Sequence, residues 1–416
     1  MAKSLVVKEY EEIDIKDCDL SKLQSYIKCQ NLTSALQVTP TGVKTNSWVG
    51  VIKYKKIHIQ ILPKLICDKD NNNENILKNL IFMLSFTKKL DIKTSNDAKL
   101  ASAKNPFIEI LIREFANSLF DCLKRLTPKK YVREEDNLSF LKGKLKFSEN
   151  IRYNCTNQSK FYCEFDEFSE DNELNQLFLF VSTCLYNISQ DRYNKKILKF
   201  IMNYYSEIKF IRFDKLKANK IKLTRNQELF KKPLNLAKMF IEQTSVDLSK
   251  NKFENITLIW DMNKLFEEFV FELINKYKDD FKCEVKSQKG RKLLRGDHNK
   301  KRNTYVDIMV KKGNEKIVVD TKYKKFRNAN DFSNADVFQV STYCLLHNAH
   351  KAILLYPQWD NTRPNIDNYF LNTDEEITEK YEINFKTINL KHSDLKSNLT
   401  TIKDELAEIL KIVIYT

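Results

Sequence analysis

Tyr305-Val306-Asp307-Ile308-Met309-Val310, the break Lys311 to Glu315, and Lys316-Ile317-Val318-Val319-Asp320-Thr321-Lys322 make up the stretch that decides how this sequence is read. Two apolar runs flank a charged break containing Gly313, the pattern of two strands joined by a hairpin turn. Side chains alternate between faces along a strand, so Asp320 and Lys322 share a face, and antiparallel pairing can bring Asp307 alongside them. Two carboxylates and an amine so placed suit phosphodiester hydrolysis. Asp307 and Asp320 can hold one or two Mg²⁺ ions, or Mn²⁺ as a substitute, with the Thr321 carbonyl as a further ligand, while Lys322 orients water or offsets charge on a phosphate. Asp-x-Lys alone carries little information, because it recurs at Asp14, Asp91, Asp97, Asp280 and Asp394. The competing reading is a charged hairpin edge that discourages aggregation, and the pattern by itself does not choose between them.

Working outward, Met262, Leu265, Phe266, Phe269, Val270, Leu273, Ile274 and Tyr277 recur at helical spacing after Asp261, a suitable N-cap. Glu267 borders the apolar face of that helix. Downstream, Ala335 to His347 reads as a helix with Asp336, Gln339 and Tyr343 on one stripe, followed by an apolar strand from Ala352 to Tyr356. Upstream, Lys55 to Pro63 alternates like a strand, Ile76 to Lys89 is helical, and Pro106 opens a helix running to about Leu126. Arg133 to Asp136 reads as a charged turn, and Phe140 to Phe147 as a hairpin or projecting finger. The acidic segment Glu164 to Glu173 then leads into a helix from about Asn175, capped by Ser169 or Asp171.

The fold class expected is a multidomain α/β protein. Residues 1–250 form a β-rich (1–66) and helical, finger-bearing (75–250) partner-binding region, and residues 251–416 form an α/β domain with a mixed central sheet. The net charge of +16 points to a polyanionic partner, and from Lys286 to Arg327 fifteen Lys/Arg face only four acids. Nine cysteines without a CxxC pair and five histidines without an HExxH pattern exclude the common zinc and redox sites. The one Gly-Lys pair, Gly143-Lys144, is followed by Leu145, so no Walker A loop is present. With no long apolar run and no signal-like start, the expected location is the cytoplasm and no membrane is involved.

Met262-x-x-Leu265-Phe266-Glu267-x-Phe269-Val270, the Asp307 strand, Val319-Asp320-Thr321-Lys322-Tyr323-Lys324, Gln339-x-x-x-Tyr343 and Leu355-Tyr356-Pro357 stand in an order that resembles the McrC family, nuclease subunits of McrBC-type restriction systems in the PD-(D/E)xK group. Leu62-Pro63-Lys64 and Leu141-Lys142-Gly143-Lys144-Leu145 extend the resemblance over most of the chain. It implies a restriction-endonuclease-like domain, metal-binding Asp307 and Asp320, catalytic Lys322, a supporting Glu267, and accessory Gln339 and Tyr343. Val306 stands where the group name expects proline. The resemblance further implies DNA as substrate and docking on a hexameric McrB-like AAA+ GTPase that uses the GTP itself. Leu141, Lys142, Gly143 and Lys144 are the finger residues offered to that partner, although a Lys-rich tip equally suits DNA. A catalytically silent DNA-binding activator and a stand-alone resolvase-like nuclease remain the rival readings.

Overall fold

The computed structural model describes residues 3–15, 20–30, 32–54, 57–64, 73–87, 89, 106–156, 158–242, 244–247, 252–295, 301–328, 331–358, 369–370 and 381–410. The chain divides into two compact units, one made of residues 1–52, 56–96 and 258–416, the other of residues 53–55 and 97–257. This grouping differs from a single boundary near residue 250: the N-terminal strands share a unit with the C-terminal part. Among the described residues no helix is long and apolar enough to cross a membrane.

The first unit begins with β1 (Lys3–Lys8), β2 (Glu12–Asp14), α1 (Leu20–Cys29), β3 (Leu36–Val38), β4 (Gly42–Thr45), β5 (Trp48–Tyr54), β6 (Ile57–Leu62) and α2 (Asn73–Phe86). β1 runs parallel to β6, and β2, β4 and β3 form a small antiparallel sheet. The alternation in Ile57-His58-Ile59-Gln60-Ile61 predicts one wet face, yet every residue of β6 is buried, His58 and Gln60 included. β6 lies between two neighbours and is covered on both faces, a circumstance that periodicity cannot register.

The second unit holds α3 (Pro106–Leu123), β7 (Lys130–Leu138), β8 (Lys144–Leu145), α4 (Phe147–Asn154), β9 (Phe161–Ser169), α5 (Glu173–Ile188), α6 (Arg192–Tyr204), α7 (Lys215–Lys220), a 3-10 helix (Arg225–Phe230), α8 (Lys231–Glu242) and β10 (Thr244–Asp247). Two expectations change here. The charged turn at Arg133 to Asp136 is the middle of β7, and most of the acidic segment belongs to β9, its antiparallel partner. Cross-strand ion pairs, Arg133 to Glu164 at 3.7 Å among them, let charged residues occupy these strands. The cap of α5 is Asn172, whose side chain accepts from the Leu174 and Asn175 amides at 3.2 Å while its amide nitrogen donates to the Pro128 carbonyl at 2.9 Å. An ionised Asp171 could not make that donation.

The rest of the chain contributes β11 (Lys252–Asp261), α9 (Met262–Lys276), β12 (Glu284–Arg295), β13 (Lys301–Lys312), β14 (Glu315–Thr321), α10 (Asn334–His347), β15 (Lys351–Pro357), β16 (Tyr369–Phe370), β17 (Glu382–Ile388) and α11 (Leu399–Ile409). Gly50 has φ of +132°, and a Cβ there would sit 2.0 Å from the Leu258 carbonyl oxygen, so only glycine admits this approach of β5 to β11. The largest sheet has the order β12-β13-β14-β15-β17-β16. Its first three strands are antiparallel, β14, β15 and β17 are parallel, and α10 makes the crossover from β14 to β15. Met309, Val318, Leu354 and Tyr356 pack with Val340, Tyr343 and Cys344 of α10 in the core beside this sheet.

Candidate functional site

The β13–β14 hairpin closes through Gly313, at φ of +57°, with Lys312 paired to Glu315. The register runs to Ile308 opposite Val319, so the next step brings Asp307 and Asp320 across from one another. β14 is the third of six strands rather than an edge, and Asp320 is 0% exposed. The hairpin-edge reading therefore fails.

At the end of β14 the chain stays tied to the sheet, since the Lys322 amide donates to the Leu355 carbonyl at 2.9 Å. The Lys322 Nζ lies 2.8 Å from Asp320 Oδ2, donates to Gln339 Oε1 at 3.0 Å, and lies 3.9 Å from Asp336 Oδ1. Gln339 in turn donates through Nε2 to the Tyr343 hydroxyl at 2.7 Å. The stripe on α10 is thus a brace for the Lys322 ammonium, and Asp336 additionally pairs with Lys324. Thr321 donates its amide (3.1 Å) and hydroxyl (3.3 Å) to Asp307 Oδ2, which fixes one oxygen of that carboxylate. Asp320 Oδ1 is buried without a hydrogen-bond partner among the described residues.

Electrostatics mark the same place. Burial first, and then the neighbouring Asp307, push the Asp320 carboxyl up to about 7 against the pull of Lys322. Asp307 is raised by burial despite the Thr321 hydrogen bonds. Burial works against the Lys322 ammonium, but Asp320, Asp336 and Asp307 outweigh it and raise its pKa. Glu267 on α9, hydrogen-bonded by Gln288, is pushed up to about 7 by burial and by Asp307. Asp307, Asp320, Lys322, Glu267, Gln339 and Tyr343 therefore form one electrostatically connected cluster.

Among the described residues no three His, Cys, Asp or Glu side chains gather into a preformed metal cage. What the site offers is two carboxylates, one of them with an unpartnered buried oxygen, and mutual repulsion that a cation would relieve. That donor set fits Mg²⁺, which takes few protein oxygens and keeps several waters.

One group escaped the sequence reading. Glu9 is 0% exposed, and its Oε2 accepts from the Tyr323 hydroxyl at 2.8 Å and the Lys64 amide at 2.9 Å. Tyr323 directly follows Lys322, and its ring packs on Phe266 of α9 at 5.9 Å. Burial raises the Glu9 carboxyl to about 7. Its only sequence signal is an acid at the end of a strand, 314 residues from the tyrosine it holds.

Comparison with known proteins adds the context. A family model described as "McrBC 5-methylcytosine restriction system component" matches residues 43–357, more than half of the chain. The chain belongs to this family. Among solved structures it is similar to a chain in the half-complex from a tetradecameric assembly of Thermococcus gammatolerans McrB AAA+ hexamers with bound McrC. The TM-score is 0.73 at 22% identity, covering 97% of this chain and 99% of that one. A chain in the Thermococcus gammatolerans McrBC complex matches with a TM-score of 0.54 and 24% identity, over 66% of this chain and 88% of that one. No curated protein matches.

These findings correct the resemblance read from the sequence. They name the McrBC system and assemblies of McrB AAA+ hexamers with bound McrC, not McrC taken alone. Assignment of the chain as the McrC nuclease subunit of the PD-(D/E)xK group, docking on and stimulating a GTPase, is accordingly withdrawn. At this level of identity the structural likeness shows the fold alone. The 416 residues contain no Gly-x-x-x-x-Gly-Lys-Ser/Thr, so no AAA+ nucleotide site is assigned to them either.

Proposed function

We propose that this McrBC-system component carries a divalent-metal-dependent site for hydrolysing phosphodiester bonds in DNA. The observation that carries the reading is Asp320: a fully buried carboxyl with an unpartnered oxygen, opposite Asp307 and 2.8 Å from the Lys322 ammonium. Such an arrangement costs stability and persists where chemistry uses it. Asp307 and Asp320, with the Thr321 carbonyl, would hold Mg²⁺ or Mn²⁺. A bound ion supplies Lewis acidity toward the phosphate and lowers the pKa of water. Lys322, braced by Gln339 and Tyr343, places a fixed positive charge where the phosphate gains negative charge. Glu267, with its carboxyl near neutrality, can accept a proton from the attacking water at physiological pH.

From the neighbouring assemblies we carry over that the chain works within an McrB–McrC type of assembly, and from the family description, a 5-methylcytosine restriction system, that DNA is what it acts on. The Leu141-Lys142-Gly143-Lys144 tip suits contact with another protein, because Phe140 and Leu141 are both 59% exposed there. Incubating the chain with duplex DNA, alone and with the other component of its system, in Mg²⁺, Mn²⁺ or EDTA tests the hydrolytic reading. Strand cleavage is expected with either metal and is abolished by EDTA; cleavage that persists in EDTA, or none with any divalent ion in either setting, sinks it.

A further inference from the structure

β12 and β13 pair along their whole length, from Glu284 opposite Lys311 to Arg295 opposite Lys301. β14, however, pairs with β13 only from Ile308 to Lys312. Beyond that point β12 and β13 continue as a two-stranded ribbon, Gln288 to Arg295 against Lys301 to Asp307. The ribbon starts at Asp307 itself and is about 23 Å long at the usual strand rise. Its paired residues carry Lys289, Arg291, Lys292, Arg295, Lys301 and Arg302 and no acid before Asp307; Asp297 and Lys300 belong to the segment 296–300 that joins the two strands in sequence.

The charge is uncompensated at its root. Among the described residues neither Lys289 nor Arg291 pairs with a carboxylate, and the Lys289 ammonium is lowered by burial and then by Lys286, Arg291, Lys316 and Lys311. Burial first, and then Lys289, Arg291 and Lys316, hold His347 at the end of α10 below its usual pKa. By register the acids closest to this cluster are Asp307, one step from the Lys289 partner Val306, and Glu267, which accepts from Gln288; Asp307 is engaged by Thr321, and Glu284 and Glu315 lie at the far end of the strands. Gly290 lies under the Tyr305 ring, where a Cβ would come within 2.8 Å of it, and that ring is 50% exposed. Crowded cations without counter-charges on a narrow ribbon are out of balance until a polyanion supplies the anions.

We infer that the β12–β13 ribbon is a duplex-DNA arm, which lies along the groove with Lys289 and Arg291 on phosphates and so delivers the backbone to Asp307 and Asp320. This rests on the reading of the neighbouring site as one that hydrolyses DNA. A two-stranded ribbon is one of the two elements that the major groove of duplex DNA accepts. Contacts of this kind are read as salt-dependent affinity, each phosphate pairing contributing about 0.9 to the slope of log affinity against log salt.

The test is binding of a fluorescent duplex to the full chain in EDTA, where hydrolysis is silent, across a salt series. For K289Q/R291Q we expect affinity at least ~10-fold weaker than wild type and a slope smaller by about 1.8. R291Q alone, at an exposed position, should lose about 0.9 of slope and guards against misfolding of the double variant. K217Q/K220Q on α7 removes the same net charge and should bind like wild type. Unchanged binding and slope in both ribbon variants, or equal losses in the α7 control, overturn the arm. If the ribbon variants bind normally while cleavage still depends on Asp320, the arm alone is wrong. If they lose binding but wild type cleaves with no divalent ion, the hydrolytic reading fails and the arm stands.

Discussion

The β7–β9–β8 sheet and the β13–β14 hairpin are both antiparallel and thick with Lys, Asp and Glu, yet their charges live differently. In the first, Lys146 meets Glu135 at 2.8 Å, Lys142 meets Glu167 at 3.1 Å and Arg133 meets Glu164 at 3.7 Å, mostly in contact with solvent. In the second, Asp320 is buried completely, opposite a second carboxyl and with one oxygen unanswered. Matched exposed pairs keep a sheet soluble and in register at small energetic consequence. An acid held in the interior beside another acid opposes folding and marks a site of function.

The sharpest way to break this comparison is D320N. Cleavage should fall by about 10³-fold or more, the scale of losing a central electrostatic element. The apparent Tm at pH 8 without metal should be no lower than wild type, because the amide replaces a carboxylate the fold resists. Added Mg²⁺ should raise the wild-type Tm and leave the variant unmoved, since only the native site binds it. A variant that melts well below wild type would instead make Asp320 a structural residue. K322M should follow at about 10²–10³-fold in cleavage rate with duplex affinity in EDTA nearly unchanged, which separates charge placement from DNA binding. Equal losses in rate and affinity would recast Lys322 as a binding group.

The hairpin and the meeting of its two carboxyls with Lys322 were legible because they are local. Apolar alternation, Gly313 and two acids lie within a few residues of each other, and Asp261 announces α9 with a side chain that accepts from the Asn263 amide at 2.9 Å. The α10 stripe was legible as a stripe, although spacing could not say that Gln339 would brace Lys322. What stayed hidden is what depends on distant chain. His58 and Gln60 are inside because both faces of β6 are covered, and Arg133 to Asp136 extend rather than turn because they pair along β9, where Glu164 and Asp166 answer Arg133, while Lys146 answers Glu135. Asn172 outcompeted Asp171 because the Pro128 carbonyl, far back in the chain, needed a donor.

Glu9 sharpens the comparison from the other side, as a buried acid that supports the site without touching substrate. Its carboxyl is raised to about 7 from an ordinary 4.5. The native state therefore holds a proton that the unfolded chain has released, so the stability contributed is full below about 4.5 and is lost as pH rises through about 7. E9Q keeps the shape and a carbonyl acceptor for Tyr323 but cannot ionise. We expect it to flatten the fall in apparent stability between about pH 4.5 and 7, on the order of 3 kcal/mol over that whole window, while cleavage stays within a few-fold of wild type. E9A, which releases Tyr323, should lower the maximal cleavage rate more than duplex affinity. A Tm profile for E9Q that still falls with pH like that of wild type would show that another group carries the effect.

The smallest expected effect lies in the matched sheet. K146Q removes the cation between Glu135, Glu149 at 4.0 Å and Glu164 at 3.7 Å. These side chains reach solvent, where water and salt screen their attraction and the freed lysine regains rotamer entropy. The Tm should move by no more than about two degrees, and less in high salt, with cleavage unchanged. K146Q is informative because it alters a denser cluster of ion pairs than any at the hairpin. If it impaired cleavage as D320N does, the number of charges rather than their burial would be the variable that matters, and the distinction between the two regions would collapse.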